Sequence, residues 1–417
     1  MSGRLLTGLT RSGPLALDRH VATHGPLPDS GSELIAEVLA AGLRGRGGAG
    51  FPAGVKLAAV AEGTRPVVIV NGTEGEPMSA KDRSLLKRTP HLVLDGAIAA
   101  ARAVGAREVF VCASAQANTV VAAALAEREH AGRRAQPRFT LLPRADGYVA
   151  GEETAVLAHL EGRPPRPRVT PPRPAQQGYH GRPTLVQNVE TLAHLALIAR
   201  HGAAWFRELG TEDRPGSTLL TVSGAVRTPG VYEVPSGIAL DEVVHLAGGA
   251  IEPARALLVG GYFGAWVSGE GRGLALDDVA LRPHGAAVGA GVVVVLGESA
   301  CAVAETARLT AYLAAESAGQ CGPCVNGLGA LAGAVERLAT GRAASDDGER
   351  LVRWIEMVRR RGACAHPDGA ARMLTSANRL FGSELAEHAR RGPCARCAVA
   401  SALVLPAVGA SLQRAAA

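Results

Sequence analysis

Lysine is almost missing from this chain of 417 residues: only Lys56, Lys81 and Lys87 occur, inside one 32-residue window, and the other 41 of the 44 basic side chains are arginine. Aromatic residues are nearly as scarce, with 6 Phe, 5 Tyr and 3 Trp. The sequence has no run of like charges, and a net charge of +6 spread over its length excludes a dedicated nucleic-acid arm or a charged disordered tail. It has no apolar signal-peptide core near the start, and no uncharged run reaches the roughly 20 residues a bilayer crossing needs. The candidate run Cys397 to Leu412 has 16 residues and contains Pro406 and Gly409, which predicts a buried or surface-packed helix. The expected compartment is therefore the cytoplasm, where thiols stay reduced, and the seven cysteines, an odd number, read as ligands or core residues rather than disulfides.

What is present is organised. At roughly 150 residues per domain the length predicts two or three domains. Short apolar strands at Pro66–Val70, Glu108–Ala113 and Arg138–Leu142 alternate with helical periodicity at Glu33–Leu43, Pro90–Val104 and Ala117–Ala131, the pattern of an α/β domain with a largely parallel sheet. The proline-rich RPPRPRVTPPRP excludes helix and central strand and reads as an extended surface segment. Near Gly216 the pattern changes to strand, turn, strand and short helix (Thr218–Ser223, Val231–Val234, Leu240–Ala247), a β-grasp-like opening. From Cys301 it becomes helical, with apolar residues at three-four spacing. The expected division is an α/β domain over 1–215, a β-grasp domain over 216–300, a helical domain over 301–390 and a tail over 391–417.

Three groups of residues point to chemistry. GLRGRGGAGFPAGVK, with six glycines between Gly42 and Gly54, lets backbone N–H groups approach a phosphate, although it is neither a dinucleotide fingerprint nor a phosphate loop ending in GK[ST]. Phe51 and Lys56, two of the rare residues, argue against a mere linker. NGTEGEPMSAKDR follows a strand, which places Asn71, Glu74 and Glu76 at the carboxyl edge of the sheet; Glu152 and Glu153 behind Gly151 form a second acidic pair, explained equally by helix N-terminal charge complementarity. Cys321 and Cys324 form a C-x-x-C pair, and Cys364 follows 40 residues later, a spacing recurrent in cluster and zinc sites. A second C-x-x-C comprises Cys394 and Cys397, while Cys112 and Cys301 read as core residues.

In this order the segments GLRGRGGAGFPAGVK, NGTEGEPMSAKDR, GEETAVLAHLEGRPPRPR, PPRPAQQGYHGRPTLVQNVETLAH and ESAGQCGPC resemble the NADH-binding flavoprotein subunit of NADH:quinone oxidoreductase, respiratory complex I, and related subunits of NAD-linked hydrogenases and formate dehydrogenases, over about residues 5–390. The resemblance implies a Rossmann-like FMN domain, a soluble-ligand-binding β-grasp domain and a helical bundle carrying a 4Fe-4S cluster. NADH would reduce FMN by hydride transfer, and electrons would leave singly through the cluster to a partner, either a thioredoxin-like 2Fe-2S subunit or another acceptor protein. By motif, Gly45, Arg46, Gly47, Gly48, Lys56, Asn71, Glu74, Gly151, Glu152, Asn188 and Thr191 would line FMN, and Phe51, Lys56, Glu76 and Glu153 would face the nucleotide, with Glu76 and Glu153 the candidate catalytic carboxylates. Cys321, Cys324 and Cys364 would hold the metal.

The chain departs from the family pattern at several positions. Thr73 stands where the family has a flavin-contacting carboxylate, Arg173 where an aromatic stacks on adenine, Leu57 where a tryptophan follows the lysine, and Gln187 where the first asparagine of N-N-V-E-T stands. Ala318 replaces the first cluster cysteine, leaving three of four. A three-ligand cluster, one completed by Ser317, His366, Cys394 or Cys397, and no cluster are all open. The alternatives to NADH oxidation are the NAD-reducing direction and a non-catalytic subunit whose flavin chemistry has decayed.

Overall fold

A computed structural model describes residues 3–8, 13–132 and 137–406. Strands β1 (Val67–Gly72), β2 (Glu108–Ala113), β3 (Arg138–Pro143) and β4 (Thr184–Asn188) form a parallel sheet in the order β3-β2-β1-β4. β1 reads VVIV without polar alternation because both of its faces are covered. Val68 and Val70 join one core layer, whereas Val67 and Ile69 pack with Phe110, Cys112, Val156 and Leu157 on the opposite face. The helices around this sheet are α1 (Leu17–His24), α2 (Glu33–Ala41), α3 (Ala53–Ala61), α4 (Lys81–Arg88), α5 (Pro90–Val104), α6 (Ala115–His130), α7 (Glu153–Leu160) and α8 (Val189–Arg207).

Helix α5 starts with proline at its first position and ends at Gly105, whose φ of 73° suits a left-handed C-terminal cap. It packs directly on α8. At Gly96 the two backbones are so close that a Cβ would lie 1.8 Å from the Leu192 carbonyl oxygen. That contact fixes the height of the α8 N-terminus against the sheet.

A second sheet contains β5 (Ser217–Gly224), β6 (Gly230–Pro235), β7 (Ala254–Val259), β8 (Ala265–Ser268) and β9 (Val292–Gly297) in the order β6-β5-β9-β7-β8; only the β5–β9 pairing is parallel. With α9 (Leu240–Leu246) and the single turn α10 (Asp278–Leu281) it realises the strand, turn, strand, helix order expected from the sequence. Helices α11 (Ala302–Ala315), α12 (Leu328–Ala339), α13 (Asp347–Val358) and α14 (His366–Arg391) pack together and against the second sheet through Leu258, Val294 and Leu296. The expected helix over Cys397–Leu412 does not form in its described part: a short 3-10 turn, Ala395–Ala398, is followed by irregular chain to residue 406. Pro406 and the contacts this segment makes with other elements explain the difference, and residues 407–412 lie outside those described.

Replacing Gly96 with valine should force α5 and α8 apart and lower stability by about 1–3 kcal/mol, read as a lower urea midpoint with an unchanged slope.

Candidate functional site

Ligands of open α/β sheets bind outside the carboxyl ends of the strands, where the strand order reverses. Here that point lies between β1 and β4, whose last paired residues are Asn71 and Asn188. The loop after β1 and the N-terminus of α8 therefore flank one crevice. The glycine loop 42–52 leans over it: a Cβ on Gly47 would lie 3.3 Å from that of Asn188, and the Arg46 N–H donates to Thr191 Oγ1 at 2.9 Å. Gly48 and Gly50 have φ of 108° and 63°, and a Cβ at Gly50 would meet nothing within 4 Å, so the loop leaves open space on its outer side. An open glycine cradle beside the N-terminus of a long helix fits a phosphate-bearing cofactor.

The remaining residues expected at the site are drawn together in part. Asn71 Nδ2 donates to the Gly151 carbonyl at 2.9 Å, joining the β1 loop to the segment before α7. Lys56 Nζ donates to Glu153 Oε2 at 2.5 Å and to the Val186 carbonyl at 2.9 Å. Phe51 is exposed, and the Arg173 guanidinium lies 5.7 Å from its ring centroid, within cation–π range. The Arg46 side chain faces inward: it is buried and donates to the Pro215 and Ser217 carbonyls. Glu74 turns away from the crevice. Its carboxylate accepts from Ser79 Oγ at 2.8 Å and from the Asp82 and Arg83 N–H groups at 2.9 and 3.2 Å, and thereby caps α4. Glu152 likewise caps α7, accepting from the Thr154 and Ala155 N–H groups at 2.9 and 3.1 Å, and burial pushes its pKa up.

Lys81 is a site residue absent from the motif-derived set. Its ammonium is buried, 2.7 Å from Asp82 Oδ1, 3.0 Å from Glu190 Oε2 and 3.2 Å from Asn188 Oδ1. Burial alone would lower its pKa, but the two carboxylates outweigh burial and keep it charged. Its place among the three lysines is the signal that marks it in the sequence.

Glu76 points between the two sheets. Its Oε2 accepts from the Tyr148 hydroxyl at 2.9 Å and the Tyr262 N–H at 2.8 Å, and Oε1 from the Met78 N–H at 3.2 Å. Gly261 (φ 88°) permits this approach, since a Cβ there would lie 2.6 Å from Glu76 Oε2. Burial pushes the Glu76 pKa up to about 7, against the pull of those three hydrogen bonds.

The cysteine loop sits beside the same wall. Tyr148, on the 3-10 turn Tyr148–Gly151, donates its N–H to Glu316 Oε2 at 2.7 Å, immediately before Ser317 and Ala318. Gln320 donates to the Pro167 carbonyl. The Cys324 thiol interacts with Cys321 and with the Ser317 hydroxyl, and Cys364 lies close enough to feel the charge of Cys321 and Glu152. A π-turn over Pro323–Gly327 follows Cys321. Cys321 and Cys324 thus lie side by side with Cys364 nearby, while the buried Ala318 carries no donor. His366 Nε2 lies 2.7 Å from the Leu313 carbonyl, and its buried Nδ1 has no hydrogen-bond partner. Cys394 and Cys397 follow the far end of α14, a 26-residue helix kinked at Phe381 that begins two residues after Cys364. They are remote from this set, so of the four expected candidates Ser317, beside Cys324, and His366, next to Cys364, remain.

Because Glu76 is raised from 4.5 to about 7, the folded state retains a proton that the unfolded chain has lost between those values. Its contribution to stability is full below about pH 4.5 and lost as pH rises through about 7, an effect of about 3 kcal/mol. Glu76→Gln should flatten the change in urea midpoint between pH 5 and pH 8 by that amount relative to the parent protein; an unchanged pH slope would show that Glu76 ionises normally in the fold.

Comparison with known proteins places these features. Residues 38–197 match the Nuo51 FMN-binding domain, residues 219–261 the SLBB domain, and residues 295–388 the iron–sulfur binding region of NADH-ubiquinone oxidoreductase F. The chain is 35% identical over 381 residues to the F subunit of NADH-quinone oxidoreductase of Mycobacterium bovis, covering 87% of this chain and 86% of that protein. It is 36% identical over 383 residues to the corresponding F 2 subunit of Rhizobium meliloti, covering 88% and 90%. Among solved structures, an NAD+-reducing NiFe hydrogenase in the H2-reduced state superposes with a TM-score of 0.83 at 34% identity, over 93% of this chain and 67% of that one. Among the described residues no helix is long and apolar enough to cross a membrane. Fold, crevice and cysteine loop agree with the sequence matches, and the chain belongs to the family of NADH-quinone oxidoreductase F subunits.

Proposed function

We propose that this chain is an FMN-dependent NADH:acceptor oxidoreductase, the electron-input module of a larger assembly. The observation that carries this reading is the convergence of the glycine loop, the β1 loop, the Lys56–Glu153 pair and the α8 N-terminus on one crevice whose far wall holds the cysteine loop. The chemistry supplied by bound FMN is acceptance of two electrons as hydride from NADH and their release one at a time, which iron–sulfur centres require.

The chain's own groups prepare the crevice. Gly47 and Gly48 bring backbone N–H groups to the cofactor without side-chain obstruction, Gly45 closes the loop by donating its N–H to the Phe51 carbonyl at 2.8 Å, and Asn188 and Thr191 present the α8 N-terminus to the cofactor's phosphate. Asn71 holds Gly151 in position, and Glu74 and Glu152 serve by capping the helices that frame the space. Phe51 with Arg173 offers a planar surface at the rim for the nucleotide base. Glu153, half-exposed beside Lys56, presents negative charge where a 2′-phosphate would lie and so favours NADH over NADPH. Glu76, buried under Tyr148 and Tyr262, shapes the wall shared with the cysteine loop. Cys321, Cys324 and Cys364 would hold an iron–sulfur centre as three protein ligands, and a cytoplasmic acceptor protein, such as a thioredoxin-like 2Fe-2S subunit, would take the electrons. The hydrogenase likeness favours a second reading in which the same module runs toward NAD+ reduction.

Protein reconstituted with FMN should be yellow and bleach anaerobically on adding NADH; failure to retain flavin or to bleach overturns the reading. Glu153→Gln should reduce the preference for NADH over NADPH about tenfold, equivalent to ~1.4 kcal/mol, measured as the ratio of kcat/KM values with a dye acceptor. Cys321→Ala should abolish the iron signal in electron paramagnetic resonance while leaving flavin content intact.

A further inference from the structure

At the far end of α14 the structure gathers a second set of metal-ligand side chains. Cys301 Sγ, His388 Nε2, Cys394 Sγ and Cys397 Sγ all lie within 4.8 Å of one another. They come from three separate segments: the residue that caps α11, the last turn of α14 and the C-x-x-C after it. Cys394 and Cys397 fall outside the matched iron–sulfur region, which ends at residue 388. We propose that these four residues form a structural zinc site, separate from the iron–sulfur thiols.

The spacing itself selects the occupant. Zinc held tetrahedrally by thiolates at about 2.3 Å and imidazole at about 2.0–2.1 Å puts ligand sulfurs about 3.8 Å apart and sulfur and nitrogen about 3.6 Å apart. Cys394 and Cys397 Sγ are 3.9 Å apart, and Cys301 Sγ is 3.6 Å from His388 Nε2. A disulfide would need about 2.0 Å. A cubane, which places each thiolate on a different iron, spreads its ligands further. Three thiolates and one imidazole in a tetrahedron are a zinc set.

The surroundings orient the ligands. His388 Nδ1 is 3.0 Å from the Ala339 carbonyl, so the proton sits on Nδ1 and the Nε2 lone pair faces the three thiols. The Ala304 N–H donates to Cys301 Sγ at 3.4 Å at the start of α11, which stabilises the thiolate. Binding would release the three thiol protons to solvent and leave four metal–ligand bonds.

The site also has a purpose in the fold. Past Cys397 the chain turns back along α11 as a strap. Ser401 Oγ donates to Glu305 Oε2 at 2.9 Å and the Ala402 N–H to Glu305 Oε1 at 3.0 Å. The Tyr262 hydroxyl donates to the Val404 carbonyl at 2.5 Å, and the Val404 N–H lies 3.3 Å from Met78 Sδ. Met78 and Tyr262 are two of the residues whose N–H groups hold Glu76. The metal would therefore anchor one end of a strap whose other end closes the Glu76 pocket.

The test is metal analysis of full-length protein purified without chelator, with iron, zinc and acid-labile sulfide measured together. About one zinc per chain is expected. The double variant Cys394→Ser/Cys397→Ser should lose the zinc and keep its iron and flavin, while Cys321→Ala should lose iron and keep zinc. Metal-stripped parent protein titrated with Co2+ should show tetrahedral ligand-field bands and thiolate-to-cobalt charge transfer, which reads the site even if the double variant folds poorly. Hydrogen exchange over residues 398–406 should rise at least several-fold on zinc removal. Absence of zinc together with absence of tetrahedral cobalt bands, zinc retained in the double variant, or iron lost from it would overturn the proposal.

Discussion

Glu190 is an ionised carboxylate with almost no contact with water, and much of the site depends on its being paired. Its Oε1 accepts from the Leu219 N–H at 2.9 Å and from Thr218 Oγ1 at 3.2 Å, and Oε2 meets Lys81 at 3.0 Å, with Arg46 alongside. Despite burial, these partners hold its pKa well below the usual carboxylate range, Lys81 foremost. One side chain thus ties α8, α4, the glycine loop and the first strand of the second sheet. A buried pair of this kind adds little net stability, but removing one partner strands the other charge in low dielectric. Lys81 at the start of α4 is therefore a requirement of the junction.

The loop from Tyr148 to Glu153 has a comparable double role on the opposite wall. Gly151 and Glu153 face the crevice side, Tyr148 binds Glu76 through its hydroxyl, and the Tyr148 N–H reaches Glu316 at the head of the cysteine loop. The flavin crevice and the cysteine thiols consequently share a single layer of chain. Thr73, where the family resemblance implies a carboxylate, is buried and points its hydroxyl toward Cys112 rather than into open space. The replacement is absorbed by packing within the sheet.

Much of this was legible in the sequence, for identifiable reasons. The glycine loop, the loop after β1 and the C-x-x-C announce themselves because their residue types are needed by the backbone or the chemistry wherever they fold. Glu74 was legible as site-proximal but not as a helix cap, whereas for Glu152 the helix N-terminal role stood beside the ligand role from the outset, since a carboxylate shortly before a helix suits a ligand and free N–H groups equally well. Strand β4 has no legible signature because five residues behind Pro183 give no period to detect. Cys301 reads as a core residue because its partner His388 is 87 positions away on another helix, a proximity that only packing creates. The same holds for Glu76, whose tyrosine partners come from outside its own loop.

Strand β1 lies in the middle of its sheet, and the neighbour that covers one of its edges, β4, is more than a hundred residues further along the chain. At a synthesis rate of about 5–20 residues per second, that hydrogen-bonding edge stands open for roughly ten seconds on the ribosome. An apolar VVIV edge left unpaired is a template for pairing with another nascent chain. The arrangement that sets the crevice at the β1–β4 junction therefore also makes biogenesis of this protein depend on keeping that edge covered until α8 has emerged.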